Sequence, residues 1–292
     1  MGEIIVGVDG SESSAEALRW AVEQGRLRGE PIRALLAWDT LDQRYPDRGR
    51  RFRSDYAAAD AEVALAAYVA DAVGADARTV AQRAVAGSAA QVLLDRADGD
   101  ASMIVVGARG HGALRGAILG SVSLSCAQLA PCPVAVVRHV ERRGSDPIGR
   151  IVVGVDGSIS SRMALDWALD EARASGADVD VVHAWHPVLF GAETAAFTLE
   201  GLDETERAAG RMVDALIEEA NTDGMAGDVE PVLVPGPVAQ RLLEAAKGAD
   251  LLVVGSRGRG GFSGLLLGSV SHQVAVHADC PVVIAPSHGD ER

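Results

Sequence analysis

Residues 4–38, IIVGVDGSESSAEALRWAVEQGRLRGEPIRALLAW, recur without a gap at 151–185 as IVVGVDGSISSRMALDWALDEARASGADVDVVHAW. Of the 35 aligned pairs 17 are identical, among them Gly7/Gly154, Asp9/Asp156, Ser11/Ser158, Trp20/Trp167 and Trp38/Trp185. A repeat at an offset of 147 residues is a whole domain copied, not a short solenoid turn. Within the stretch, Ile4–Val8 is a short β-branched run ending in turn residues. Ser13 or Ser14 is expected to cap a helix in which Ala17, Leu18, Ala21 and Val22 recur at helical spacing, and Ile32–Trp38 is a second strand.

Outward from there, the first copy continues with an alanine-rich helix over about 55–73 and a third strand near 79–85. A helix over 89–96, a fourth strand at 103–106, a Gly-rich loop, a helix through Leu129 and a last strand at 134–137 complete it. The second copy repeats the order from Ile151 to Ile284. Alternating β and α, with strands that are nearly continuous apolar runs, predicts an α/β fold: two tandem doubly wound domains, each with a mostly parallel, buried sheet. The domains are expected at 1–140 and 150–292. The polar, Gly- and Pro-bearing stretch HVERRGSDPIG (139–149) supplies a linker at 141–149.

The chain has 292 residues, about twice the usual domain size, and its 48% hydrophobic and 23% charged content is that of a globular protein. Lys and Arg total 27 against 41 Asp and Glu, a net charge of -14 that repels polyanions, so nucleic acid is not the expected partner. No run approaches the roughly 18 apolar residues of a membrane helix, and the first strand begins too early for a signal peptide, so no membrane is expected and the cytoplasm is the expected location. Cys126, Cys132 and Cys280 lack disulfide or zinc spacing and are expected to be buried and structural.

In a doubly wound sheet, ligands bind outside the carboxyl ends of the strands. After strand 1 come Gly7-Val8-Asp9-Gly10-Ser11 and Gly154-Val155-Asp156-Gly157-Ser158; strand 2 ends in Ala37-Trp38 and Ala184-Trp185. After strand 4, Gly107-x2-Gly110-x9-Gly120-Ser121 is matched by Gly255-x2-Gly258-x9-Gly268-Ser269, each followed by Val-Ser. Glycines let a backbone approach a ligand closely and take positive φ, so that several N–H groups converge on an anion. Ser121 and Ser123 add hydroxyl donors at a helix start, where the dipole favours negative charge. With Asp9 placed to accept from a ribose hydroxyl or an adenine amino group, the loops suggest a nucleotide. The plainer reading is that tight strand-to-helix connections need glycine anyway, and duplication alone would preserve the spacing.

At these residues the sequence resembles the universal stress protein family in its tandem-domain form, specifically the ATP-binding branch marked by G-x2-G-x9-G-[S/T]. The likeness covers both halves. It implies a Rossmann-like, five-stranded parallel sheet in each, with helices on both faces, and ATP as ligand with Mg²⁺ held mainly by the phosphates. The matching positions are Gly7, Val8 and Asp9 on the nucleoside side and Ala37 for main-chain recognition of adenine. Val106, Gly107, Gly110, Gly120, Ser121, Val122 and Ser123 would surround ribose and phosphates. In the second half they are Gly154, Val155, Asp156, Ala184, Val254, Gly255, Gly258, Gly268, Ser269, Val270 and Ser271. Arg109, Arg115, Arg257 and Arg259 either neutralise terminal phosphates, unequally, since Ser263 stands where Arg115 does in the first copy, or are solvated loop arginines. The likeness also implies that the strands Val134–Val137 and Val282–Ala285 pair the halves within the chain, and that two chains associate as a homodimer. The Arg48–Arg53 cluster is either a docking surface for a protein partner or a solvated loop.

Enzyme signatures are missing. A P-loop requires G-x4-G-K-[ST], and the chain's single lysine, Lys247, lies outside both Gly-rich loops. There is no G-x-G-x-x-G, H-E-x-x-H or G-x-S-x-G in the required context. None of the seven histidines occupies the same position in both copies, so no duplicated general base exists. His183 aligns with Leu36 and is expected to be packing; His111 lies nearest the expected phosphates. A regulatory ATP-binding protein is therefore the leading expectation. An ATP-hydrolysing or nucleotidyl-transfer enzyme, or an interaction module with no ligand, are the alternatives.

Overall fold

The computed structural model describes residues 2–39, 57–110, 119–138, 148–185, 199–220, 222, 224–259 and 266–287. The chain divides into two compact units, Met1–Glu141 and Arg142–Arg292. The first runs β1 (Glu3–Val8), α1 (Glu12–Arg28), β2 (Ile32–Trp38), α2 (Ala58–Val73), a 3-10 segment (Gly74–Thr79), β3 (Val80–Ala86), α3 (Ala89–Ala97), β4 (Ala101–Gly107), α4 (Ser121–Leu129) and β5 (Val134–Val137). The second runs β6 (Arg150–Gly154), α5 (Ile159–Ser175), β7 (Asp178–Trp185), α6 (Leu199–Glu219), β8 (Val229–Pro235), α7 (Val238–Ala245), β9 (Leu251–Gly255), α8 (Ser269–His277) and β10 (Val282–Ala285). Within each unit the strands are parallel, ordered β3-β2-β1-β4-β5 and β8-β7-β6-β9-β10.

The central strands are sealed on both faces. Ile4, Ile5, Val6, Ile104 and Val105 have no exposed surface, nor do Ile151, Val152, Leu251 and Leu252. That burial is why these segments read as unbroken apolar runs. The expected elements are present, with shifted ends: β4 begins at Ala101, two residues early, and a 3-10 turn that periodicity does not signal precedes β3.

One expectation is corrected. The cap of α1 is Ser11, not Ser13 or Ser14: its backbone is extended (φ -75, ψ 156) and its hydroxyl accepts the Ser14 N–H. Ser13 and Ser14 are already in the first turn. Ser158 caps α5 in the same way, and both helices end on a left-handed glycine, Gly29 (φ 67) and Gly176 (φ 79). The three cysteines are free and buried, as expected; burial pushes the thiols of Cys126 and Cys280 up to about 12 and Cys132 to about 11.

This order positions the site. From β1 the chain winds outward through β2 and β3, then returns to the other side of β1 for β4 and β5. The connections leaving β1 and β4 therefore part in opposite directions and open a crevice at the carboxyl ends; β6 and β9 do the same in the second unit. At the opposite ends of the strands lies an ion cluster. Buried Glu3 accepts from Arg33 Nε at 3.0 Å and from the Arg96 guanidinium. In the second unit Arg150 donates to Asp180 at 2.5 Å and to the carbonyls of Ala245 (3.1 Å) and Lys247 (3.3 Å).

Candidate nucleotide-binding clefts

Each crevice is built around an acid at the end of the first strand. Asp9 Oδ1 accepts the Ser11 N–H at 3.0 Å and the Ser11 hydroxyl at 2.5 Å, and the Asp9 N–H reaches Ser14 Oγ at 3.3 Å. The turn needs a left-handed residue, which Gly10 supplies (φ 74), as Gly157 does in the second copy (φ 76). The Tyr68 hydroxyl, half-buried on α2, donates to the Ser11 carbonyl at 2.9 Å and fastens this turn to the helix layer. In the second unit Ser158 N–H donates to Asp156 Oδ1 at 3.0 Å and Arg259 N–H to Asp156 Oδ2 at 2.9 Å. Burial alone would raise the Asp156 pKa. The hydrogen bonds from Ser158, Arg259 and Ser161 outweigh it and hold this carboxyl below its ordinary value.

The glycines of the strand 4 loop do something other than expected. None of Gly107, Gly110, Gly120, Gly255, Gly258 or Gly268 has positive φ. A Cβ on Gly107 would lie 2.7 Å from the Ser13 backbone, and one on Gly255 would lie 2.7 Å from that of Ser160. The first glycine of each motif therefore lets the strand end pack on the first turn of α1 or α5. A Cβ on Gly110 would meet Asp9 Oδ2 at 2.5 Å, and one on Gly258 would meet Asp156 Oδ2 at the same distance, so the second glycine admits the carboxylate. Gly120 and Gly268 close the loop, donating to the Ala108 carbonyl at 2.9 Å and the Ser256 carbonyl at 2.8 Å.

What the loop presents is the start of a helix. The first intrahelical bonds are Leu124 N–H to Gly120 and His272 N–H to Gly268. The N–H groups of Ser121, Val122 and Ser123, and of Ser269, Val270 and Ser271, consequently have no partner among the described residues. Ser121 and Ser269 are exposed. The hydroxyls of Ser123 and Ser271 are not offered as donors: each is engaged by a main-chain carbonyl, Gly107 and Gly255, at 2.6 Å. Both residues are buried, and a buried hydroxyl beside a strand-end carbonyl takes that bond.

The remaining candidates form the floor. Gly7 and Gly154 leave room for Leu93 and Leu242, while Val8, Val106, Val155 and Val254 are buried apolar walls. Ala37 and Ala184 lie at the carboxyl ends of β2 and β7, beside β1 and β6. The Arg109 N–H donates to Ser13 Oγ at 3.3 Å. The Arg257 carbonyl accepts from the Ser160 hydroxyl, and the Arg257 Nε is buried with no hydrogen bond among the described residues. Arg259 lies over the turn, its guanidinium donating to the Gly157 carbonyl at 3.3 Å. His183 does more than pack: its Nδ1 bonds the Val155 carbonyl at 2.8 Å. Arg115, Ser263, His111, His139, His186, His288, the Arg48–Arg53 cluster and linker residues 141–147 lie outside the described residues.

Among the described residues no helix is long and apolar enough to cross a membrane. The family model described as universal stress protein matches residues 1–138 and again 147–286. A universal stress protein of Mycobacterium tuberculosis is 35% identical over 304 residues, covering 97% of this chain and 94% of its own length. One of Mycolicibacterium smegmatis is 35% identical over 289 residues, covering 96% of each. The crystal structure of a universal stress protein from Archaeoglobus fulgidus superposes with a TM-score of 0.62 at 18% identity, covering 98% of both chains, a likeness of fold.

Proposed function

The chain belongs to the universal stress protein family, and from that premise we propose that it is a regulatory adenine-nucleotide binder. In this reading it takes ATP in the cleft of each half, acts in the cytoplasm in stress response or growth control through the bound nucleotide, and hydrolyses it slowly if at all. One observation carries the reading: each cleft sets three N–H groups that have no partner among the described residues at a helix start, Ser121–Ser123 or Ser269–Ser271, across from an oriented acid, Asp9 or Asp156. Phosphates suit the helix start, where donors and dipole act together. The acid suits ribose hydroxyls.

Ala37 and Ala184 suit the base. A strand residue presents its N–H and C=O to the same side, an adjacent donor and acceptor. That pair complements the N1 acceptor and N6 donor of adenine and opposes the reversed pattern of guanine. Arg109 and Arg257 would add positive charge near the phosphates. Among the described residues no cluster of three or more His, Cys, Asp or Glu could hold a metal, so Mg²⁺ would travel on the phosphates with most of its water.

The test is to denature the purified protein and identify the released ligand by mass spectrometry. ATP or ADP at up to two per chain is the expected result, and its absence after nucleotide is added back removes the reading. Multiple turnover well above about 0.1 s⁻¹ would move the assignment to an ATP-hydrolysing enzyme.

A further inference from the structure

We infer that the two clefts are unequal, and that His183 is the positioning residue that makes the second half the stronger adenine site; this rests on the reading above. The observation is a difference in where two equivalent ladders stop. In the first half β1 stays paired with β2 through Val8↔Leu36. The Ile4 N–H bonds the Pro31 carbonyl, which sets the phase of the ladder: the last pair is closed by the Ala37 N–H donating to the Val8 carbonyl. In the second half the ladder ends one residue sooner, at Gly154↔Val182. The Val155 N–H still bonds the Val182 carbonyl at 2.9 Å. The Val155 carbonyl, however, is taken by His183 Nδ1 at 2.8 Å. Because its partner is a carbonyl, Nδ1 must carry the hydrogen.

The consequence falls on Ala184. Its N–H points toward β6, because the Val179 N–H, and with it every second residue through Trp185, points the other way to β8. The bond its counterpart Ala37 makes is not made here, and no other partner takes its place among the described residues. Ala184 is 7% exposed. A buried main-chain donor without a partner is uncommon and costly, so a ligand acceptor placed there gains a hydrogen bond without breaking one. At Ala37 the same acceptor must displace a ladder bond. Leu36 has no donor with which to release it.

Calorimetry on single-site proteins tests this, with Gly120→Glu closing the first cleft and Gly268→Glu the second. The second-half site should bind ATP about three- to tenfold more tightly than the first, the equivalent of one net hydrogen bond. His183→Leu should bring its Kd to the first-half value. His183→Asn, whose side-chain amide stands where Nδ1 stood, should restore it. Leu36→His should tighten the first site. In the free protein, the Ala184 amide should exchange faster than the Ala37 amide and become protected in His183→Leu, a response that loss of packing alone would not give. Equal Kd values in the two halves, or an unchanged Kd in His183→Leu, overturn the inference and leave the proposed function standing. If the wild-type chain binds no adenine nucleotide, the proposed function falls with it, although the amide comparison still reports whether His183 holds the Ala184 N–H free.

Discussion

In the first half Glu3 sits between Arg33 and Arg96; in the second, Arg150 stands where Glu3 does and Asp180 where Arg33 does. The ion pair is kept and its charges are exchanged. Glu3 needs two cations, and α3 supplies the second through Arg96. Arg150 needs further acceptors instead, and finds them in the carbonyls of Ala245, the last residue of α7, and of Lys247 just beyond it. The comparison separates what the fold demands from what it tolerates. It demands that the strand ends be bridged by opposite charges. Which strand carries which sign is free, provided the neighbouring helix end adjusts.

Variants can break or sharpen this comparison. The largest effect is expected where the halves agree. Gly107→Ala and Gly255→Ala each drive a methyl group into the backbone of Ser13 or Ser160, and each should cost its own half about 3 kcal/mol in denaturant unfolding. A marked inequality would show that the two packings differ. Next comes Glu3→Ala, which leaves Arg33 and Arg96 facing each other. About 2 kcal/mol is expected, between the values for exposed and buried pairs. The double exchange Glu3→Arg with Arg33→Asp should recover only part of this, because Arg96 then opposes a like charge. Adding Arg96→Ala should recover more. Full recovery by the double exchange would contradict the role given to Arg96.

Smaller still, Ser11→Ala and Ser158→Ala should each cost about 1 kcal/mol as lost helix caps, read from the same unfolding curves. The smallest effect is a pH dependence. The Asp156 carboxyl is held below its ordinary value of 3.8, so its contribution is complete above that value and is lost as pH falls through the lower folded one. Asp156→Asn should therefore flatten the second half's loss of stability as pH falls below about 4, read from urea midpoints.

Much of the architecture is legible in the residues. Runs such as IIVGV and MIVVG can only be strands buried on both faces, and the two copies confirm each other's boundaries. The cleft is legible as a place but less so in its workings. Gly107 and Gly110 look alike in sequence, yet one admits a backbone and the other a carboxylate, a distinction that depends on what α1 and Asp9 bring from a hundred residues away. Ser123 looks like a ligand donor because nothing in its neighbourhood discloses that the Gly107 carbonyl will lie beneath it. His183 reads as packing because its partner, Val155, belongs to the adjacent strand, and only the register brings them together.

The most direct test of the account is a titration of nucleotide-free protein with ATP and, separately, GTP in the presence of Mg²⁺. Main-chain readout at the strand ends predicts binding of ATP that saturates at two per chain, weaker binding of GTP, and loss of one equivalent in each of Gly120→Glu and Gly268→Glu. A folded wild-type chain that binds neither nucleotide, or binds both alike with the two variants unaffected, would contradict it.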